Sequence, residues 1–405
     1  MKKIIIVISL IMILFSSCSV FQNNNSNVLD DGYNYVTIIV NIPDYTPDDS
    51  SIYIAGNFNS WNPGDKRFKL KNENGKYKIT LKAEPGFTIE YKITRGNWET
   101  VEKGKDGEEI PNRIYTFDSK KNTIEITVYN WRDFVEKGDG NVKHTITGNV
   151  KIINDFYLKE LDKKRRIWIY LPPDYETSNK RYPVLYMHDG QNVFDAATSF
   201  VGEWEVDETL EKLFKEGKTS GVIVVAIDNG GSDRLNEYSP WKWDNTNIQI
   251  AKGQGGEGDK YVDSIVKSVK PYIDKNFRTI PEDNGIMGSS MGGLISLYAA
   301  IKYPEVFKKV GALSSAFWFA DNKITDYVKE RGYVGDLKIF LYIGGKEESS
   351  MDDANKYKND TIEMAELLKN LGYKNVKLLI DENGIHNESF WAKHFAEIFL
   401  WLYNN

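Results

Sequence analysis

The chain has 405 residues and a formal net charge of −6, with no block of Lys and Arg, which argues against nucleic acid as a partner. This length exceeds one ordinary domain and implies two, at least one of them with a large core. Cys18 is the only cysteine, so an intramolecular disulfide is excluded.

At the start of the chain, Met1-Lys2-Lys3 and the apolar run Ile4 to Phe15 have the charged head and short hydrophobic stretch of a secretory signal, too short to span a bilayer. Phe15-Ser16-Ser17-Cys18 resembles a bacterial lipobox, with Phe15 in place of the usual Leu. Residues 1–18 are therefore expected to direct export to the cell envelope and lipidation at Cys18, which would attach the protein to a membrane. Residues 19–32, rich in Asn, read as a flexible tether. From 33 to 133 the pattern has period two (Val36/Ile38/Val40, Tyr77/Ile79/Leu81, Ile89/Tyr91/Ile93, Ile124/Ile126/Val128) between turn-rich segments, which predicts an antiparallel β-sandwich. Residues 134–148, polar and containing glycine, read as a linker.

Between 149 and 405 the rhythm changes. Apolar runs at 167–171, 184–187, 222–227, 339–343 and 376–380 alternate with helical stretches at 261–276, 361–371 and 388–403. Strands that are apolar throughout and interleaved with helices predict an α/β fold with a mostly parallel central sheet covered on both faces. Ligands of such sheets bind at the carboxyl ends of the strands.

Gly288-Ser289-Ser290-Met291-Gly292-Gly293 is a GxSxG element. Asn284 to Met287 before it read as a buried strand, and Leu294, Leu297, Tyr298 and Ile301 after it recur at helical spacing until Pro304. Strand, tight turn and helix make an elbow in which Ser290 is strained and exposed, with glycine needed at 288 and 292 so that helix and strand pass closely. A serine hydroxyl needs a base and a group that orients the base. Of the four histidines, His144 lies in the linker, His188 ends an earlier strand and His394 sits within the last helix. His386, in the loop after the last strand, is the expected base. The orienting acid is expected between Ser290 and His386; Glu347, after the strand at 339–343, leads, with Glu348, Asp352 and Asp353 as alternatives. Backbone N–H groups of Met291 and Gln191 are the expected oxyanion donors, Gly190 permitting the bend. His188-Asp189 lacks partner ligands at metal spacing, so neither a metal nor an organic cofactor is expected.

With these residues in place, the segment from about Asn149 onward resembles the esterase family that contains esterase D, feruloyl and acetylxylan esterases of carbohydrate esterase family 1, and enterochelin esterases. The resemblance is carried by Tyr186 to Phe194, Gly202-Glu203-Trp204, Asp207-Glu208, Glu237 to Pro240, Gly288 to Gly293, and His386-Asn387-Glu388 with Trp391. It implies Ser290, His386 and an acid at the Glu347 position as a triad, although many members carry Asp there. Ala55 to Trp61, Glu90-Tyr91-Lys92, Asn97-Trp98-Glu99 and Asn112-Arg113 resemble the starch-binding modules of glucoamylase type. That resemblance implies that Trp61 and Trp98 stack on glucose rings while Lys92 and Asn112 bond sugar hydroxyls, with the insertion Val101 to Glu109 reshaping the site. The combined expectation is an exported serine esterase acting on acetyl or feruloyl esters of carbohydrates and held on α-glucan. A siderophore esterase and a non-catalytic carbohydrate-binding lipoprotein are its rivals.

Overall fold

The computed structural model describes residues 21–22 and 32–404, apart from 48, 60, 74, 106, 109, 136–143, 200–201, 245, 247–251 and 348–353. Cys18 and the alternative acids Glu348, Asp352 and Asp353 lie outside these residues. Of the expected tether, Phe21–Gln22 pair antiparallel with Leu81–Lys82.

The alternating residues of the first hundred fold into facing sheets. Asn34–Asn41 turns Val36, Ile38 and Val40 inward and pairs with Lys76–Ala83 on one side and Lys121–Thr127 on the other. Opposite stand Tyr53–Gly56, Thr88–Thr94 and Arg113–Thr116, an antiparallel set whose inward Ile54, Ile89, Tyr91 and Ile93 meet the first sheet in one core closed by Trp131. The expectation of a wholly antiparallel sandwich fails at one place: Asn34–Asn41 and Lys121–Thr127 run parallel. They are separated by nearly the whole sandwich, and a chain that returns by such a crossover is free to pair in parallel, whereas a hairpin is not.

Residues 134–148 are not all free linker. His144 Nδ1 pairs with Asp195 Oδ2 at 2.6 Å, Thr145 Oγ1 donates to Glu203 Oε2 at 2.9 Å, and Thr147 N donates to Asp207 Oδ2 at 2.6 Å. Arg132, at the end of the sandwich, donates from Nη2 to the Ala197 carbonyl at 3.1 Å.

The second part is built on an eight-stranded sheet in the spatial order Asn149–Leu158, Lys163–Leu171, Ile223–Ile227, Tyr182–His188, Thr279–Ser289, Phe307–Leu313, Lys338–Gly344 and Asn375–Asp381. Lys163–Leu171 is antiparallel to both neighbours, so the sheet is mixed; from Ile223–Ile227 onward each pairing is parallel. Helices cover both faces over separate apolar cores, one including Leu294, Leu297 and Ile301 of Met291–Lys302, the other Phe395, Ile398 and Leu402 of Glu388–Tyr403. The helix expected over 261–276 widens into a π-helical stretch at Ile265–Val269, just ahead of Pro271, which has no N–H to give to a regular turn. The parallel strands deliver Ser289, His188, Gly344 and Asp381 to the same edge of the sheet.

Candidate active site

Ser290 stands between the strand Thr279–Ser289 and the helix Met291–Lys302 with φ +56° and ψ −122°, a conformation that costs a non-glycine residue about 1–3 kcal/mol and persists only where its surroundings enforce it. The enforcement is visible. Ser290 N donates to Leu313 O at 2.9 Å, and the Ser290 carbonyl accepts from Gly293 N, Leu294 N and Ala316 N at 3.0–3.2 Å. Glycine is required at 288, where a Cβ would lie 2.8 Å from the Gly292 carbonyl carbon and 2.9 Å from His188 Cδ2. At 292 the expectation needs correction: a Cβ there would meet nothing closer than 3.4 Å. The tight position is Gly293, whose Cβ would fall 2.2 Å from Ser315 Oγ.

Glu347 lies three residues past the strand Lys338–Gly344 and is fully buried. Its Oε2 pairs with His386 Nδ1 at 2.7 Å, while Oε1 accepts from Gly344 N at 2.7 Å and from the Ser314 hydroxyl. Ser314 Oγ in turn accepts from Trp391 Nε1 at 2.9 Å. The carboxylate accepts a hydrogen bond from Nδ1–H in this pairing, so the lone pair of the neutral ring sits on Nε2. The imidazole is boxed edge-to-face by Trp391 and Tyr357, with ring centroids 5.1 and 5.3 Å away. Among the described residues no hydrogen bond joins Ser290 Oγ to His386 Nε2; such bonds often form only with substrate in place.

Met291 opens its helix, so its N–H has no intrahelical acceptor. The turn Gly190–Asn192 carries Gln191 and follows Asp189, which is left-handed at φ +55°; a Cβ on Gly190 would strike the Ile227 backbone at 2.8 Å. Elbow and turn are neighbours, because a Cβ on Gly292 would touch both His188 Cβ and Asp189 Oδ2 at 3.4 Å. Burial alone would raise the Asp189 carboxyl, but the Arg234 guanidinium, bonded at 2.7 and 2.8 Å, and Asn229 at 2.7 Å outweigh it and hold the group below the usual carboxylate range. His188 is a buried neutral ring: burial drives it down to about 3, and Nδ1 meets the Tyr261 hydroxyl at 2.7 Å. Arg234 and Ser314 were not singled out by sequence reasoning; Arg234 lies in the segment after the strand Ile223–Ile227, whose carboxyl end could have directed attention to it, and Ser314 directly follows Phe307–Leu313. His394 packs against Tyr342 and bonds Asp381 at 2.9 Å.

In the sandwich, Trp61 and Trp98 are both partly exposed, on loops that touch: Thr94 Oγ1 donates to Pro63 O at 2.5 Å, and a Cβ on Gly64 would lie 2.7 Å from Gly96 O. Asn112 precedes Arg113, the partner of Tyr91, and so stands opposite Lys92; its Nδ2 donates to Glu90 Oε2 at 2.9 Å. Lys92 departs from expectation. It is fully buried with Nζ on the carbonyl of Ile110, the residue after the insertion, and it presents no ammonium to a surface ligand.

Residues 159–402 match the family model described as "Putative esterase". The chain belongs to this esterase family. It is 28% identical over 244 residues to the uncharacterized protein YbbA of Bacillus subtilis, a match covering 59% of this chain and 92% of that protein. In the N-terminal segment it is 48% identical over 103 residues to an amylopullulanase of Thermoanaerobacter thermohydrosulfuricus, covering 24% of this chain and 7% of that protein, which supports a starch-binding module there. A solved enterobactin esterase of Shigella flexneri, in the presence of enterobactin, matches with a TM-score of 0.50 and 14% identity over 95% of this chain and 96% of its own, a likeness of fold.

Proposed function

We propose that this esterase hydrolyses acyl esters of carbohydrates, of acetyl or feruloyl type, with Ser290 as nucleophile, His386 as base and Glu347 as the orienting acid. The observation that carries the reading is the buried Glu347 bonded at 2.7 Å to His386, on the sheet edge where Ser290 is held at φ +56°. Ser290 Oγ attacks the ester carbonyl and Nε2 takes its proton. The oxyanion is received by the Met291 and Gln191 N–H groups, and the imidazolium returns the proton to the leaving alkoxide. Water then repeats the cycle on the acyl-enzyme, releasing acid and free serine. None of these steps calls on a cofactor. Ser290→Ala is expected to lower kcat on p-nitrophenyl acetate by at least about a thousandfold while the melting temperature holds; wild-type turnover would overturn the assignment.

The partly exposed Trp61 and Trp98, with Asn112 nearby, form the surface proposed to hold α-glucan. A second reading, siderophore ester hydrolysis, is supported by 29% identity over 161 residues to the iron(III) enterobactin esterase of Escherichia coli. Export to the cell envelope and attachment of the protein to a membrane through a lipid on Cys18 belong to the same proposal.

A further inference from the structure

Glu388 opens the last helix two residues after His386, is buried, and has no part in the hydrolysis just described. Removing a carboxyl from water is costly, so its partners carry information. Oε1 accepts a hydrogen bond from Asn192 Nδ2 at 3.1 Å. Asn192 closes the turn that carries Gln191, and its carbonyl accepts Trp204 N at 2.8 Å, which ties that turn to the chain entering Val206–Lys215. Burial pushes the Glu388 carboxyl up to about 7; its own backbone N–H bond acts against this, as do His386 and Arg234, while the charge on Asp189 adds to it. The bond therefore spans 196 residues of sequence to join the loop of the base to the turn of the expected oxyanion donor.

We propose that Glu388 is a positioning residue whose bond to Asn192 fixes the spacing between the Gln191 N–H and the His386 ring. The inference rests on the roles given above to His386 and Gln191. Ester hydrolysis requires both groups to meet one tetrahedral centre, and a misplacement of about 1 Å costs on the order of a hundredfold in rate. Among the described residues no other side-chain hydrogen bond links the turn Gly190–Asn192 to the segment from His386 to Glu388. Two further bonds of the turn, from Thr198 Oγ1 to Gln191 O and from Asn229 N to Gln191 Oε1, run to residues of its own neighbourhood rather than to the His386 loop.

The test is steady-state kinetics on p-nitrophenyl acetate for Glu388→Ala, Glu388→Gln, Asn192→Ala and the double alanine variant of the full chain, each with its melting temperature. Glu388→Ala and Asn192→Ala are each expected to lower kcat about 10- to 100-fold with KM changed less than about threefold. Glu388→Gln, which keeps an acceptor for Asn192, is expected to stay within about fivefold of wild type. The double variant is expected to be no worse than the poorer single, since both remove one bond. A wild-type kcat in folded Asn192→Ala, or a double loss equal to the product of the singles, overturns the proposal, and Asn192→Ala alone decides if Glu388→Ala does not fold. Turnover in Ser290→Ala would instead refute the underlying esterase mechanism, so the two failures are distinguishable.

Discussion

At the scale of the residue, the site turns on how firmly Glu347 is held. With Oε1 occupied by Gly344 N and Ser314, only Oε2 is left for His386, and it fixes the proton on Nδ1. Glu347→Gln can turn its amide N–H toward Nδ1 and favour the tautomer in which Nε2 carries the proton and cannot act as base. The expected result is a fall in kcat of at least about a thousandfold with KM and melting temperature little changed; Ser314→Ala, which leaves the Glu347–His386 pair intact, is expected to cost about tenfold or less. A Glu347→Gln enzyme within tenfold of wild type would send the search for the acid elsewhere in its loop. Ser290 and His386 could be read from the chain because an elbow has a local signature and the strand-end loop after the last strand holds one histidine. Ser314 could not: its bonds to Glu347 and Trp391 cross 33 and 77 residues, and no short pattern encodes them.

At the scale of the element, glycine decides whether strand and helix pass at contact distance. Gly288→Ala would place a methyl 2.8 and 2.9 Å from the carbonyl carbon and oxygen of Gly292, which cannot rotate away, and 2.9 Å from His188 Cδ2. A destabilisation of about 1–3 kcal/mol is expected, seen as an earlier urea midpoint, together with loss of most activity. Gly292→Ala, meeting its neighbours at 3.4 Å, should be clearly milder; equal costs would mean that the elbow yields by moving its helix. The central strands were legible as apolar runs because both of their faces are covered. Phe307–Leu313 was not, since Lys308 and Lys309 interrupt its start where the strand nears solvent, and Asn149–Leu158 was not, since an edge strand covered on one side keeps its polar residues.

At the scale of the molecule, a sandwich and a hydrolase lie on one chain, and His144, Thr145 and Thr147 between them are bonded to the hydrolase. The pairing of His144 with Asp195 and the donation from Arg132 to Ala197 tie the sandwich's exit to the hydrolase surface. A surface for glucan on one part and ester chemistry on the other should then be separable by mutation. Trp61 and Trp98 sit on touching loops of the sandwich. Each indole face can cover the apolar C–H face of a pyranose, a contact that alanine cannot make. The double variant Trp61→Ala/Trp98→Ala is therefore expected to migrate through a glycogen-containing native gel at the speed it shows without glycogen, where the unaltered protein is retarded. Its kcat/KM on p-nitrophenyl acetate should stay within about twofold. If the unaltered protein is not retarded, the glucan surface is refuted and a siderophore ester becomes the favoured substrate. If the double variant is still retarded, glycogen binds elsewhere on the sandwich, with the exposed Tyr45 and Tyr129 the next residues to change.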